Sequence, residues 1–227
     1  YNTCRINARI PREWKHSTVT LIHKGGDVSA IRNWRPISLQ LTLYKLYSAI
    51  IARRIASWAM EANAFSPAQK GFLAYDGCAE HNFLLRSVMV EARRNKRNLL
   101  LEWLDLKDAF GSVPHDLILL LMKRLGLSGS AIDIVKDIYS QSTIAIRTGR
   151  DTYTAAIKQN RGVKQGCPLS PILFNLVMEV LIRAAESKLN GGYSIANSVV
   201  KTLAYADDLS VFASTPELMQ EMLDRVV

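Results

Sequence analysis

The sequence predicts an α+β fold in which an antiparallel sheet is backed by helices. Three observations lead there. The run Leu99-Leu100-Leu101-Glu102-Trp103-Leu104 reads as one strand, ending at Asp105. Two further apolar runs, Val199 to Ala204 and Leu209 to Ala213, flank Tyr205-Ala206-Asp207-Asp208 and read as a hairpin with both aspartates at its tip. Helical patterns surround these strands in the order strand, helix, hairpin, helix, without the strict alternation that a parallel sheet would need.

The elements follow along the chain. Ser17 to His23 alternates polar and apolar residues and meets a Gly25-Gly26-Asp27 turn. Leu43 to Met60 is a helix whose apolar face is expected to hold Leu43, Leu46, Tyr47, Ile50, Ile51, Ile55, Trp58 and Ala59. A second helix runs from about Ala79 to Arg94 into the basic stretch Arg93-Arg94-Asn95-Lys96-Arg97. The first acidic strand, about 99 to 106, comes next. Pro114 opens a helix to about Arg124, and Ser128 to Ser140 forms another. Thr143 to Thr148 and Asp151 to Lys158 are expected to pair as strands around Gly149. Pro171 to Lys188 is an amphipathic helix, and Thr215-Pro216-Glu217 starts a last one after the hairpin. The N-terminal 95 residues or so read as a separate, basic, helix-rich layer.

The 227 residues suffice for one large domain or two lobes around a shared core, and 48% hydrophobic content supports a packed interior. A net charge of +9 suits a polyanionic partner, of which nucleic acid is the commonest. Cys4, Cys78 and Cys167 are too widely spaced for a disulfide framework or a zinc cluster, which suggests a reducing, intracellular compartment. No apolar stretch is long enough to span a membrane, so no membrane partner is expected. The chain starts without Met and ends inside a helical pattern, as a fragment of a longer protein would.

Three constellations carry chemistry. Asp207 and Asp208 repel each other at a turn tip, and a divalent cation would relieve that repulsion. If the strand ending at Asp105 lies beside the hairpin, three acids converge, as two-metal phosphoryl transfer requires. Taken singly, each acid also reads as a solvated strand end or turn. Second, Gly162-Val163-Lys164-Gln165-Gly166-Cys167-Pro168-Leu169-Ser170-Pro171 is a rigid turn entering a helix. Gly166 permits close backbone approach to a flat ligand, and the helix start would favour an anion. An ordinary loop before a helix fits the same residues. Third, Lys24 ends a strand, and Arg35 precedes Pro36 in extended backbone that would fix its guanidinium for phosphate. Each is otherwise a solvated charge. His16, His23, His81 and His115 lack metal-ligand spacing, and Ser170 lacks partners for nucleophilic catalysis.

These residues, in this order, resemble the reverse transcriptase domain of retroelements, specifically the non-LTR, LINE-type retrotransposons. The resemblance covers nearly the whole chain. Trp14-Lys15 through Lys24 and Trp34-Arg35-Pro36-Ile37-Ser38-Leu39 look like fingers motifs, and Gln69-Lys70-Gly71-Phe72 like the next block. Asp105-Leu106-Lys107-Asp108-Ala109-Phe110 matches motif A, Gln165 through Pro171 motif B, and Tyr205-Ala206-Asp207-Asp208 motif C. The resemblance implies a right-hand polymerase, with residues 1–98 in the fingers, 99–113 in the palm, 114–164 connecting them and 165–227 in the palm again. It implies that Asp105, Asp207 and Asp208, with the Leu106 carbonyl, bind two Mg²⁺ ions, for which Mn²⁺ can substitute. Lys24 and Arg35 would hold the triphosphate, Gln165 and Gly166 would line the nucleotide and template, and Phe110 would exclude a ribose 2′-hydroxyl. The implied partners are an RNA template, a DNA primer, dNTP and the rest of a parent polyprotein, including a thumb and an endonuclease. A LINE-type element would work in nucleus and cytoplasm. Arg53, Arg54, Arg93, Arg94, Lys96 and Arg97 are candidates for gripping nucleic-acid backbones.

Gly111 stands where that family commonly carries Asp, which predicts altered packing and retained chemistry. The thumb would lie beyond the last residue. A group II intron-type reverse transcriptase, or a domesticated, silent nucleic-acid-binding scaffold, would share many of these features. Intact acids argue against the scaffold.

Overall fold

The computed structural model describes residues 1–73, 76–187 and 191–226. In chain order the elements are α1 (Asn2–Asn7), β1 (His16–His23), β2 (Trp34–Leu39), α2 (Thr42–Glu61), α3 (Gly77–Arg94), β3 (Leu100–Leu104), α4 (Ala109–Ser112), α5 (His115–Arg124) and α6 (Gly129–Tyr139). They continue with β4 (Thr143–Ile146), β5 (Ile157–Lys158), α7 (Ser170–Glu186), β6 (Tyr193–Ile195), β7 (Ser198–Val200), β8 (Thr202–Tyr205), β9 (Asp208–Ala213) and α8 (Pro216–Leu223). Side-chain caps set two helix starts: Asp76 accepts from the Ala79 amide before α3, and Thr215 from the Leu218 amide before α8.

The chain forms two compact units. One comprises Tyr1–Trp58 and Phe110–Phe174, the other Ala59–Ala109 and Asn175–Val227. This division does not follow the expected boundary after residue 98. The reason is a long-range pairing: β1 runs parallel to β4, with His16 opposite Thr143 and Val19 opposite Ile146, which ties the N-terminal segment to the middle of the chain. The first unit therefore holds a mixed sheet in the order β2-β1-β4-β5. The second unit holds the expected antiparallel sheet, β3-β9-β8, and a separate β6-β7 hairpin. Its core gathers Val88, Ala92, Tyr193, Val200, Leu203 and Phe212.

Several local expectations need correction. In α2 the buried positions include Tyr44, Tyr47, Ile51, Ile55 and Ala59, while Leu43, Leu46 and Ile50 are 60%, 54% and 41% exposed. Apolar residues cover more than one face of this helix, so periodicity did not single out the face that packs. The strand pair around Gly149 shrinks to β4 and the two-residue β5, joined further out by an isolated Arg147–Tyr153 bridge. Val199, assigned from its apolar neighbours to the acidic hairpin, belongs to β7, which pairs with β6. The amphipathic helix is described as far as Glu186, and its expected end at Lys188 lies outside the described residues. No helix among the described residues is long and apolar enough to cross a membrane.

Candidate functional site

Strand register places the acids. In the second unit, β3 and β9 pair antiparallel with Leu104 opposite Leu209, and β8 and β9 pair with Tyr205 opposite Asp208. Continuing the first ladder by one residue sets Asp105 opposite Asp208. Because side chains alternate faces, Asp105, Asp208 and Tyr205 then share one face at one end of the sheet. Ala206 and Asp207 form the two-residue turn between β8 and β9. Asp105 and Asp208 are exposed and Asp207 is half-buried. None of the three carboxylates makes a hydrogen bond or ion pair with a described residue. Leu106 follows Asp105 half-buried, at the start of the turn that leads into α4. Beside the acids, a hydrogen bond with Cys78 raises the Tyr205 phenol above its usual range.

The donor set suits a hard divalent cation. Free carboxylates gather at one sheet end, with no protein cation spent on them. Among the described residues, no three His, Cys, Asp or Glu side chains stand close enough to form a metal cage. The register thus brings Asp105 and the hairpin together without packing the acids around a point. Magnesium does not require such a cage: it takes one or two carboxylates and completes its shell with water and substrate phosphates.

The first unit positions the cationic candidates. The Lys24 amide donates to the Asn33 carbonyl at 2.7 Å, and Arg35 lies opposite Ile22 in the β1–β2 ladder. Alternation along β1 puts Lys24 on the face of Ile22, and so on the face of Arg35. Both cations are exposed. The loop of Gln165 and Gly166 is tied to the same hairpin, because the Ser38 amide donates to the Gln165 carbonyl at 2.7 Å. Gly166 has φ +104°, and a Cβ there would stand 2.9 Å from the Ser38 carbonyl oxygen, so the residue must be glycine for two reasons. The helix start after this loop does not form the open anion site expected of it, since Leu169 and Ser170 at the entrance to α7 are fully buried.

Phe110 is half-buried and stacks on Phe174, with ring centroids 4.6 Å apart and an interplanar angle of 13°. Its carbonyl accepts from the Val163 amide at 2.7 Å. At Gly162 (φ +84°), a Cβ would meet the Gly111 carbonyl at 2.7 Å, so the departure at Gly111 sits where two backbones pass in close contact. The buried Lys164 donates to the Lys15 carbonyl at 3.2 Å, and burial lowers its ammonium pKa from 10.5 to about 8. His115 donates through Nε2 to the Gly162 carbonyl at 2.9 Å and packs on Tyr139, in keeping with a structural histidine whose pKa burial lowers.

The basic candidates divide. Arg53, Arg54, Arg93, Arg94 and Lys96 are exposed. Arg97 is engaged: it donates to the Glu91 carboxylate at 3.3 Å and the Ser194 carbonyl at 3.0 Å, and its guanidinium lies 4.9 Å from the centre of the Tyr193 ring. It ties the β6–β7 hairpin to the end of α3, although its side chain, like those of its basic neighbours, is exposed.

One residue without an assigned role in the sequence holds the acidic turn. Gln69 is fully buried, and its carboxamide bonds both the amide and the carbonyl of Ala206. Only the glycine-containing block Gln69-Lys70-Gly71-Phe72 hinted at a constrained backbone there.

The profile described as reverse transcriptase (RNA-dependent DNA polymerase) matches residues 22–227. A Pol polyprotein from the type-1 retrotransposable element R2 of Popillia japonica is 34% identical over 97% of this chain and 30% of its own length. One from the type-2 element R2DM of Drosophila melanogaster is 32% identical over 96% and 20%. The RNA-directed DNA polymerase from the mobile element jockey of the same fly is 27% identical over 94% and 23%. The chain thus spans less than a third of the length of these curated relatives. Among solved structures, telomerase from Candida tropicalis in complex with a fragment of telomeric RNA superposes with a TM-score of 0.65 at 14% identity, over 96% of this chain and 38% of that one. That likeness gives the fold, the palm and fingers of a right-hand polymerase.

Proposed function

The chain belongs to the reverse transcriptase family, and from that premise we propose that it forms the polymerising domain of a retrotransposon Pol polyprotein, copying an RNA template into DNA from a DNA primer inside the cell. The observation that carries this reading is the sheet register that sets Asp105 opposite Asp208 beside the Asp207 turn, with all three carboxylates uncompensated.

In this reading Asp105, Asp207 and Asp208, with the Leu106 carbonyl, would hold two Mg²⁺ ions. When bound, the ions would lower the pKa of the primer 3′-hydroxyl and neutralise the departing pyrophosphate. Lys24 and Arg35, on one face of their hairpin, would grip the triphosphate and offset its charge as the bond breaks. Gly166 would let its backbone approach the base pair closely, with Gln165 beside it. Phe110, its ring plane fixed by Phe174, would stand under the sugar and reject a 2′-hydroxyl by contact. Arg53, Arg54, Arg93, Arg94 and Lys96 would neutralise template and primer phosphates, leaving sequence choice to base pairing.

The test uses the full-length protein with a DNA primer annealed to an RNA template. Asp207→Asn should reduce dNTP incorporation on the order of 10³-fold while primer–template affinity stays within about 2-fold. Retained incorporation would refute the role of the acids.

A further inference from the structure

The acidic turn is held from behind by a buried strap. Residues 68–70 run beside β8: the Ala204 amide donates to the Ala68 carbonyl at 2.9 Å, and the Lys70 amide to the Ala204 carbonyl at 2.9 Å. One end of the strap is moored by the Ser66 amide, which donates to both oxygens of the buried Glu179 carboxylate at 2.9 Å. At the other end, the buried Asn175 donates through Nδ2 to the Gly71 carbonyl at 2.8 Å. Between these moorings Gln69 points at the turn. Its Nε2 donates to the Ala206 carbonyl at 3.2 Å, and its Oε1 accepts from the Ala206 amide at 3.0 Å and from the Gly71 amide at 2.8 Å.

The orientation of this carboxamide is fixed by its neighbours, since two amides need an acceptor where a carbonyl needs a donor. What it holds is unusual. Ala206 has φ +58°, the left-handed region normally left to glycine or asparagine, at the first position of a two-residue hairpin turn. Alanine has no polar side chain with which to stabilise that conformation. The Gln69 carboxamide supplies the missing bonds to both sides of the residue. Gly71 completes the cradle, because a Cβ there would stand 2.2 Å from the Ala206 nitrogen and 2.8 Å from its Cα.

We propose that Gln69 and Gly71 are positioning residues for the polymerase site: they lock Ala206 in its left-handed turn and thereby aim Asp207 and Asp208 at the metal ions. This role rests on the polymerase reading above. It predicts that the strap acts on metal binding and on the chemical step, leaving nucleotide and primer capture alone.

The full-length protein carrying Gln69→Met tests it, since methionine fills the space and removes every hydrogen bond. Mn²⁺ binding, followed by electron paramagnetic resonance without dNTP, should weaken about 10-fold, as for other groups that orient ligands from behind. Amide exchange in a peptide spanning residues 204–210 should accelerate about 10-fold, while peptides from α7 and the β6–β7 hairpin exchange as in the wild type. The Mg²⁺ concentration for half-maximal incorporation should rise and kcat fall, with KM for dNTP unchanged. Gly71→Ala keeps every hydrogen-bonding group and pushes one methyl against the same peptide, so it should weaken Mn²⁺ binding likewise, with unchanged exchange in the α7 peptides guarding against a general folding defect. Wild-type Mn²⁺ affinity and tip exchange in Gln69→Met, or normal Mn²⁺ binding in Gly71→Ala, would overturn the proposal. A wild-type protein that neither binds Mn²⁺ nor incorporates dNTP would overturn the polymerase reading itself, which is a different result from a working wild type and an equally working variant.

Discussion

Two hairpins would carry the chemistry in the proposed reading, and they are built on opposite plans. The β8–β9 hairpin has a two-residue turn, a strained Ala206 and a buried carboxamide bonded to both sides of it. The β1–β2 hairpin is joined by a longer connection, residues 24–33, and presents Lys24 and Arg35 as exposed cations. In the proposed reading the acids would meet ions at fixed distances, and their turn is held on several sides. The cations would act through longer-range attraction to a flexible, highly charged triphosphate, for which exposed side chains on a strand suffice. Substitutions in the β1–β2 hairpin should therefore produce graded losses, and substitutions at the acids nearly complete ones.

The sharpest way to break this contrast is at Arg35. Arg35→Ala should raise KM for dNTP about 10- to 100-fold, the weight of one charge-assisted contact, in steady-state incorporation assays. Loss as complete as that of Asp207→Asn would show that the cation is held as strictly as the acids. Arg35→Lys should recover only part of the affinity, because the bidentate fork is gone.

A smaller effect is expected between these extremes. Phe110→Val should raise rNTP use relative to dNTP about 10-fold, because the stacked ring acts by occupying space. An unchanged ratio in competition assays would remove Phe110 from the sugar side of the site.

The smallest effect concerns stability. Lys164, one residue before Gln165, is buried with a pKa lowered to about 8 by loss of hydration. The unfolded chain then binds more protons than the folded one between about pH 8 and 10.5, so this group makes stability rise with pH across that window. Burial raises Tyr44 and Tyr139 above the usual phenol range, which reverses the trend once pH exceeds that range. Lys164→Met should flatten the rise and stabilise the protein at pH 7 by about 2 kcal/mol, read from denaturant unfolding. A slope that persists in the variant would place its origin elsewhere.

Much of the acidic site was legible in sequence because its parts are local: an apolar run ends at Asp105, and two more flank the aspartate pair. The places of Lys24 and Arg35 on the β1–β2 hairpin were legible for the same reason, as a strand end and an extended residue before Pro36. What stayed hidden depends on distant partners. Nothing near Gln69 announces Ala206, 0% exposure or a carboxamide with both functions in use. The parallel pairing of β1 with β4 joins segments more than a hundred residues apart, and it moved the boundary between units. The packed face of α2 was ambiguous because Leu43, Leu46 and Ile50 offered a second apolar stripe that the fold leaves exposed. Arg97 looked like its basic neighbours until Glu91, Ser194 and Tyr193 were seen around it. One signal was available: alanine at a hairpin position that normally demands glycine or asparagine implies outside support.

The most direct measurement is anomalous diffraction from crystals of the full-length protein grown with Mn²⁺, an RNA–DNA primer–template and an unreactive dNTP analogue. Manganese held by the carboxylates of Asp105 and Asp207 is predicted. Manganese bound away from these carboxylates, or Asp105 turned to the opposite face of the sheet from the hairpin tip, would contradict the account.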